Sequence, residues 1–191
     1  MSKKIKEKEV IIKLYNESLN DIIWTHKIQA TLLEYFIKSN KKYKTIKEVI
    51  IGLSGFISAI CIYFDEITGA LIVNALSSLT IILDGIFKFS NYDEKIKTTN
   101  VNVNELWYMK KDLTYFKDYL KNDMITWKEA KEKLEEALKQ RKEIYSKLEP
   151  APKKVIEEAT SKLLDRKDEE INKEFFDESE WFYWKKVLMN F

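Results

Sequence analysis

The sequence predicts an all-α protein: a two-helix transmembrane hairpin, preceded by an N-terminal helix and followed by a cytosolic helical lobe. Three observations carry that expectation. Two uncharged apolar runs, Val49–Phe64 and Ile67–Leu83, are separated only by Asp65 and Glu66, in a chain otherwise dense in Lys and Glu. All four glycines, Gly52, Gly55, Gly69 and Gly85, fall between Ile46 and Lys88, and small residues let membrane helices approach closely. Elsewhere, apolar residues recur every three or four positions, the period of a half-buried helix. The chain divides accordingly into 1–45, 46–88 and 89–191.

Taken in order, the N-terminal segment holds no Gly or Pro and places Val10, Ile11, Leu14, Tyr15 and Leu19, then Ile22, Ile23, Trp24, Ile28, Leu32, Leu33 and Phe36, at helical spacing. Either Asn20 or Asp21 caps a second helix there, or one long helix runs through. A basic cluster of Lys38, Lys41, Lys42, Lys44 and Lys47 precedes the first apolar run, and Lys88, Lys95 and Lys97 follow the second. The connection between the runs carries no basic residue. By the positive-inside rule, both ends then lie in the cytoplasm and the Asp65-Glu66 turn outside, which places the protein in a cell membrane. Each run alone spans about 24–26 Å as a helix, short of a hydrocarbon core of about 30 Å. Flanking Ile46, Ile86 and Phe87, with snorkelling Lys stems, extend it. A soluble bundle with this hairpin as its buried core is the competing architecture.

Residues 89–103 read as a polar connector without helical periodicity. Asn104 then fits an N-cap for a helix over 105–121, with Leu106, Met109, Leu113, Phe116 and Leu120 on one face and Asn122-Asp123 as its stop. Thr126-Trp127-Lys128-Glu129 matches the capping box. From it runs a helix with Trp127, Ala130, Leu134, Ala137, Ile144 and Leu148 at heptad positions and Arg141 intruding. That helix is expected to pack on the 105–121 helix or on a sister chain, with Glu129–Lys133, Glu135–Lys139 and Glu143–Lys147 as i,i+4 pairs. Pro150 and Pro152 end it, and a further helix over about 153–166 follows. Trp181, Phe182 and Trp184 mark a last short element, either the closing core of the lobe or a surface-seeking helix.

Composition narrows the function. The 33 basic and 31 acidic residues are well mixed and give a net charge of +2, which offers no basic face for nucleic acid. One cysteine, Cys61, and one histidine, His26, exclude an internal disulfide and fall short of the Cys and His ligands of a zinc site. His26 has no nucleophile or carboxylate partner at a recognisable spacing, and no Gly-rich phosphate loop exists. No enzyme activity and no cofactor are therefore expected.

The informative polar residues lie inside the hairpin. Ala70, Asn74, Ser77, Ile81 and Asp84 are spaced four, three, four and three apart, so they form one stripe on the second helix. Two readings stay open. In an oligomer the stripe lines a pore, with Asp84 near the cytoplasmic mouth favouring cations. Alternatively, Asn74 and Ser77 hydrogen-bond the partner helix while Asp84 pairs with Lys88. Gly52, Gly55 and Ala59 form a small-residue stripe on the first helix, suited to packing against the second helix or a neighbouring copy. Ser54 and Ser58 lie on roughly the opposite side.

The order of these elements, with Trp24-Thr25-His26-Lys27, the basic approach, the minimal acidic turn, the run R-K-E-I-Y-S-K-L-E-P-A-P at 141–152 and Ala159, resembles the SLATT domain over about residues 8–165. SLATT domains are two-transmembrane effector modules of bacterial conflict and antiphage systems. The resemblance implies an effector that oligomerises, opens or disrupts the inner membrane and halts the infected cell. It also implies a trigger that acts through the 89–191 lobe or through a separate sensor or signal-producing protein. It transfers no catalytic residue. A non-conducting, membrane-anchored scaffold that binds a partner through its cytosolic helices is the alternative.

Overall fold

A computed structural model describes residues 3–60 and 66–164, and they form five helices: α1 (Lys3–Ile60), α2 (Glu66–Ser90), α3 (Tyr92–Lys121), α4 (Trp127–Tyr145) and α5 (Lys153–Leu164). The Asp65 turn residue, Cys61, Tyr63, Phe64 and the aromatic segment 181–184 lie outside the described residues.

α1 is a single helix of 58 residues, about 87 Å long at 1.5 Å per residue. The sequence explains its continuity: no Gly or Pro interrupts it before Gly52, and one contact seam runs nearly its whole length. Ile11, Tyr15, Ser18, Ile22, Gln29, Leu32, Phe36 and Asn40 are buried along that seam, and Tyr43, Lys47, Ile50, Ser54 and Ile57 continue it half-buried. With half-buried Thr25 between Ile22 and Gln29, every step is three or four residues, the repeat that keeps one helix face on a partner. Asn20 and Asp21 therefore cap nothing. Asp21 lies in mid-helix and its Oδ2 accepts from Arg141 Nη1 at 2.6 Å, which accounts for the arginine at a core position of α4. Burial raises the Asp21 carboxyl above its ordinary range, against the opposing pull of the Arg141 charge. The pair thus fixes the register of α4 on α1 more than it stabilises the fold.

α2 and α3 are joined by one residue, Asn91, in the left-handed conformation (φ 46°, ψ 43°). Asn tolerates that region better than most residues. Helical bonding continues on both sides, with Asn91 N–H donating to Phe87 O and Lys95 N–H to Asn91 O, each at 3.1 Å.

The polar connector expected over 89–103 is instead the end of α2, the Asn91 junction and the first three turns of α3, and Asn104 is an interior residue of α3. Its contact stripe is real but polar: Tyr92 and Ile96 lead to buried Thr99 and Asn102 before Leu106, Met109, Leu113 and Leu120. Asn102 Nδ2 donates to Lys147 O at 3.3 Å and Gln29 Nε2 to Glu149 O at 3.1 Å. Two buried amides thereby serve carbonyls beyond the end of α4, as buried backbone acceptors require.

One core unites residues of α1, α3 and α4: Ile11, Tyr15, Leu19 and Ile22 meet Leu106, Met109, Leu113, Leu120, Ala130, Leu134 and Ile144. Tyr15 is fully buried and its hydroxyl donates to Ala130 O at 2.7 Å, a site where burial pushes the phenol up to about 12. α5 packs on α1 through Val155 against Leu32 and Phe36, with Lys162 Nζ 2.9 Å from Glu34 Oε2. The N-terminal segment and the following lobe therefore share one body. α4 finds its partners within the chain, on α3 and α1.

The capping box forms at α4. Thr126 N–H and Oγ1–H donate to Glu129 Oε2 at 2.8 and 2.9 Å, and Glu129 N–H donates back to Thr126 Oγ1 at 3.3 Å. With Glu129 so engaged, Lys133 pairs with Glu136 and Lys131 with Glu135, in place of the expected Glu129–Lys133 and Glu135–Lys139 pairs. These hydrogen bonds hold the Glu129 carboxyl below its ordinary value of 4.5. A lowered folded-state pKa stabilises above the ordinary value and loses that contribution as pH falls through the lowered one. Glu129→Ala is therefore expected to lower the thermal midpoint of the detergent-solubilised protein at pH 7. The gap should close as pH drops below about 4, near the ordinary carboxylate range. A gap that is the same at pH 3.5 and pH 7 would rule out the charged cap as its source.

Candidate functional site

Where α2 lies beside the end of α1, the chain stops behaving like a water-soluble bundle. Val49, Ile51, Leu53 and Phe56 on α1 and Ile67, Leu71, Ile72, Leu79, Ile81, Ile82 and Ile86 on α2 are all exposed, and Phe89 is 94% exposed. The helical stretch Ile67–Lys121, followed through the break at Asn91, contains an 18-residue window of mean hydropathy 1.9, none of it buried. Among the described residues this is the one helix long and apolar enough to cross a membrane. A soluble bundle with this segment as its core would bury that window, and none of it is buried within this chain. An apolar surface this extensive marks a contact with lipid or protein. The 25 residues of α2 extend about 37 Å, which removes the length deficit of the bare apolar run.

The face that α2 turns to α1 consists of buried Gly69 and half-buried Val73, Leu76, Thr80, Leu83 and Phe87. Opposite it lies the α1 seam of Tyr43, Lys47, Ile50, Ser54 and Ile57. Hydroxyls in this region are satisfied by their own helices: Ser54 donates to Ile50 O, Ser58 to Ser54 O, Ser78 to Asn74 O and Thr80 to Leu76 O, at 2.7–3.0 Å. Such internal pairing is what a helix in a lipid-like surrounding requires.

The polar stripe divides into two parts. Asp84 is half-buried and turned to α1, where Tyr43 Oη–H donates to Oδ1 at 2.6 Å and Lys47 Nζ lies 2.8 Å from the same carboxylate. The expected Lys88 partner is replaced by these two because α1 presents them directly. Ala70, Asn74, Ser77 and Ile81 all face away from α1, with Ile81 71% exposed. Neither Asn74 nor Ser77 makes a side-chain hydrogen bond to a described residue. Gly52 and Gly55 likewise point outward, and a Cβ added at either would meet nothing within 4 Å. They do not pack against α2. The side chain of Ala59 lies outside the described residues.

Below Asp84 an aromatic and polar girdle closes the seam. Tyr43 stacks on Phe87 with ring centroids 4.0 Å apart, and Phe87, Tyr92 and Phe36 continue the contact at about 6 Å. Asn40 Nδ2 donates to Asp93 Oδ1 at 2.8 Å. The lysines of the orientation cluster behave differently from one another. Lys38, Lys41 and Lys42 are exposed, Lys44 Nζ lies 3.6 Å from Asp93, and Lys47 is drawn inward to Asp84. Sequence reasoning missed Tyr43, Asn40 and Asp93. The signal was present in the α1 repeat, which puts Asn40, Tyr43 and Lys47 on the same face as Phe36.

Among the described residues no three His, Cys, Asp or Glu side chains come together as metal ligands would. The site's chemistry is that of surfaces: an apolar helix pair, an outward polar stripe and a basic collar.

A helical lobe that carries an unburied apolar helix pair on a basic, aromatic collar has the surface of a membrane-directed module. Within that class the particular family is shown by sequence. The chain belongs to the SMODS and SLOG-associating 2TM effector domain family 4 (SLATT_4), whose model matches residues 11–178. No curated protein matches the chain, and no solved structure does. Family membership carries a role as a membrane effector of conflict systems.

Proposed function

We propose that this protein is an antiphage effector whose 46–88 segment crosses the inner membrane as a hairpin. Copies then associate, and the assembly permeabilises the membrane. One observation carries the reading: none of the apolar α2 window is buried within the chain, so it needs an apolar surrounding that the chain does not supply. The outward placement of Asn74, Ser77, Gly52 and Gly55 supports association, because polar groups are costly against lipid and small residues permit close approach. Lysines 38–47 and 88–97 favour cytoplasmic termini. The lobe of α1, α3, α4 and α5 then receives the trigger, through a separate sensor or signal-producing partner, and no catalytic step or cofactor is involved.

Two linked measurements test this. Induced protein is expected in the membrane fraction, extractable by detergent and resistant to alkaline carbonate. Triggered cells are expected to lose membrane potential, read by a voltage-sensitive dye, before they lose viability. Protein that remains in the supernatant would sink the membrane reading. Growth arrest with an intact potential would move the function to the non-conducting scaffold.

A further inference from the structure

The collar contains an open groove that the hairpin does not use. It lies along the seam of α1 and α3, has a volume of about 380 Å³, and its lining includes Ile37, Asn40, Lys41, Lys44, Glu48 and Ile96. Its depth along the chain is fixed by the neighbouring contacts. The uncharged exposed apolar run of α1 begins at Val49, one residue past Glu48, and Phe87 and Phe89 lie at the end of α2. In the membrane-crossing arrangement proposed above, the groove opens at headgroup level on the lysine-rich side, with apolar walls at Ile37 and Ile96.

We infer that this groove holds the headgroup of an anionic phospholipid, with its phosphodiester between Lys41 and Lys44 and its acyl chains along the exposed face of α1 from Val49 onward. Charge favours that occupant: five lysines crowd residues 38–47, and Glu48 is the one acid of the stretch 37–48. Lys47 is held by Asp84 at 2.8 Å. Lys44 is only loosely held by the exposed Asp93, at 3.6 Å, so Lys41 and Lys44 are the ammonium groups left to a ligand. Asn40 adds a second feature. It is 8% exposed, its Nδ2 is committed to Asp93, and its Oδ1 has no partner. That oxygen is buried in the groove wall, so the amide shapes the wall and the two lysines carry the contact to the phosphodiester. A juxtamembrane lysine near an anionic surface contributes a factor of about five in binding, so two of them make a measurable preference.

This site rests on the membrane reading, and its test is separate from that one. Detergent-solubilised full-length protein is mixed with equal amounts of phosphatidylglycerol and phosphatidylcholine, and retained lipid is counted by native mass spectrometry. Wild type is expected to retain phosphatidylglycerol preferentially. Lys41→Gln with Lys44→Gln is expected to cut that preference about 25-fold, whereas Lys41→Arg with Lys44→Arg keeps most of it. A control that removes equal charge from α4, Lys131→Gln with Lys139→Gln, is expected to leave it unchanged. Helical content measured on each variant confirms folding. Equal retention of the two lipids by wild type would overturn the site, and so would an equal loss in the α4 control, which would make the effect one of net charge. Displacement of the lipid by glycerol 3-phosphate alone would assign the groove to a soluble phosphate ester and overturn the lipid assignment. Loss of membrane localisation would be seen in the fractionation and not here.

Discussion

Replacing Asn74 and Ser77 together by leucine is expected to leave expression and membrane insertion at wild-type levels and to abolish growth arrest. The argument starts from direction. The α2 face against α1 is already complete with Gly69, Val73, Leu76, Thr80, Leu83 and Phe87, and Asn74 and Ser77 stand outside it. They are exposed and make no side-chain hydrogen bond to a described residue, so neither holds the fold of the single chain. Leucine enters a membrane helix more readily than either residue, by a few tenths of a kcal/mol or more, so insertion does not suffer. What the double variant removes is the chance for these groups to meet water or a neighbouring copy, where an interhelical hydrogen bond is worth about 0.6 kcal/mol on average. Repeated around an assembly, that loss falls entirely on the associated state. Asn74→Gln with Ser77→Thr keeps the polarity and is expected to keep toxicity. Growth arrest by an inserted leucine variant, equal to that of wild type, would exclude the stripe from the mechanism.

Much of this architecture is legible in residue spacing, and the parts that are not share one physical cause. The capping box at Thr126 and Glu129, the α3 stripe from Leu106 onward and the α5 stripe of Val155, Ala159 and Leu163 all rely on apolar or capping side chains, which periodicity detects. The first turns of α3 escape detection because Thr99 and Asn102 occupy the contact positions, and the amide of Asn102 is served by the Lys147 carbonyl just past the end of α4. Asp84 is similar. From the sequence its nearest cation is Lys88, one turn away on its own helix. The pairing with Tyr43 and Lys47 arises only because α1 continues unbroken from the lobe into the apolar segment. A seam that changes from apolar to polar and back is still one seam, and its spacing is the surviving signal. The outward orientation of Asn74 and Ser77 could not be read from the stripe, since Asp84 shares it and turns inward at its end.

Leu113→Ala is expected to destabilise the helical lobe by about 2–5 kcal/mol while leaving the protein in the membrane fraction. Leu113 is 1% exposed and sits in the shared core of α1, α3 and α4, where truncation removes burial and leaves a cavity that close-packed neighbours fill only in part. The same cluster holds Tyr15, Leu106 and Leu134, so the damage reaches every helix of the lobe except α5, which docks on α1 through Leu32 and Phe36. Neither core contains a buried residue from 37–90. The lobe is thus stabilised by packing, and the apolar helices by their surroundings, with α1 and the α2–α3 junction at Asn91 as the links between them. Limited proteolysis of washed membranes reads the two parts separately. Cleavage within α3 and α4 is expected to accelerate by at least tenfold, since local opening scales with the lost stability. A fragment containing 46–90 should remain protected in the bilayer. If a trigger acts through the lobe, this variant is also expected to lose signal-dependent toxicity while an untriggered membrane pool persists. Loss of the membrane-protected fragment together with the lobe would show that the two parts fold as one unit and would remove the division of labour on which this trigger rests.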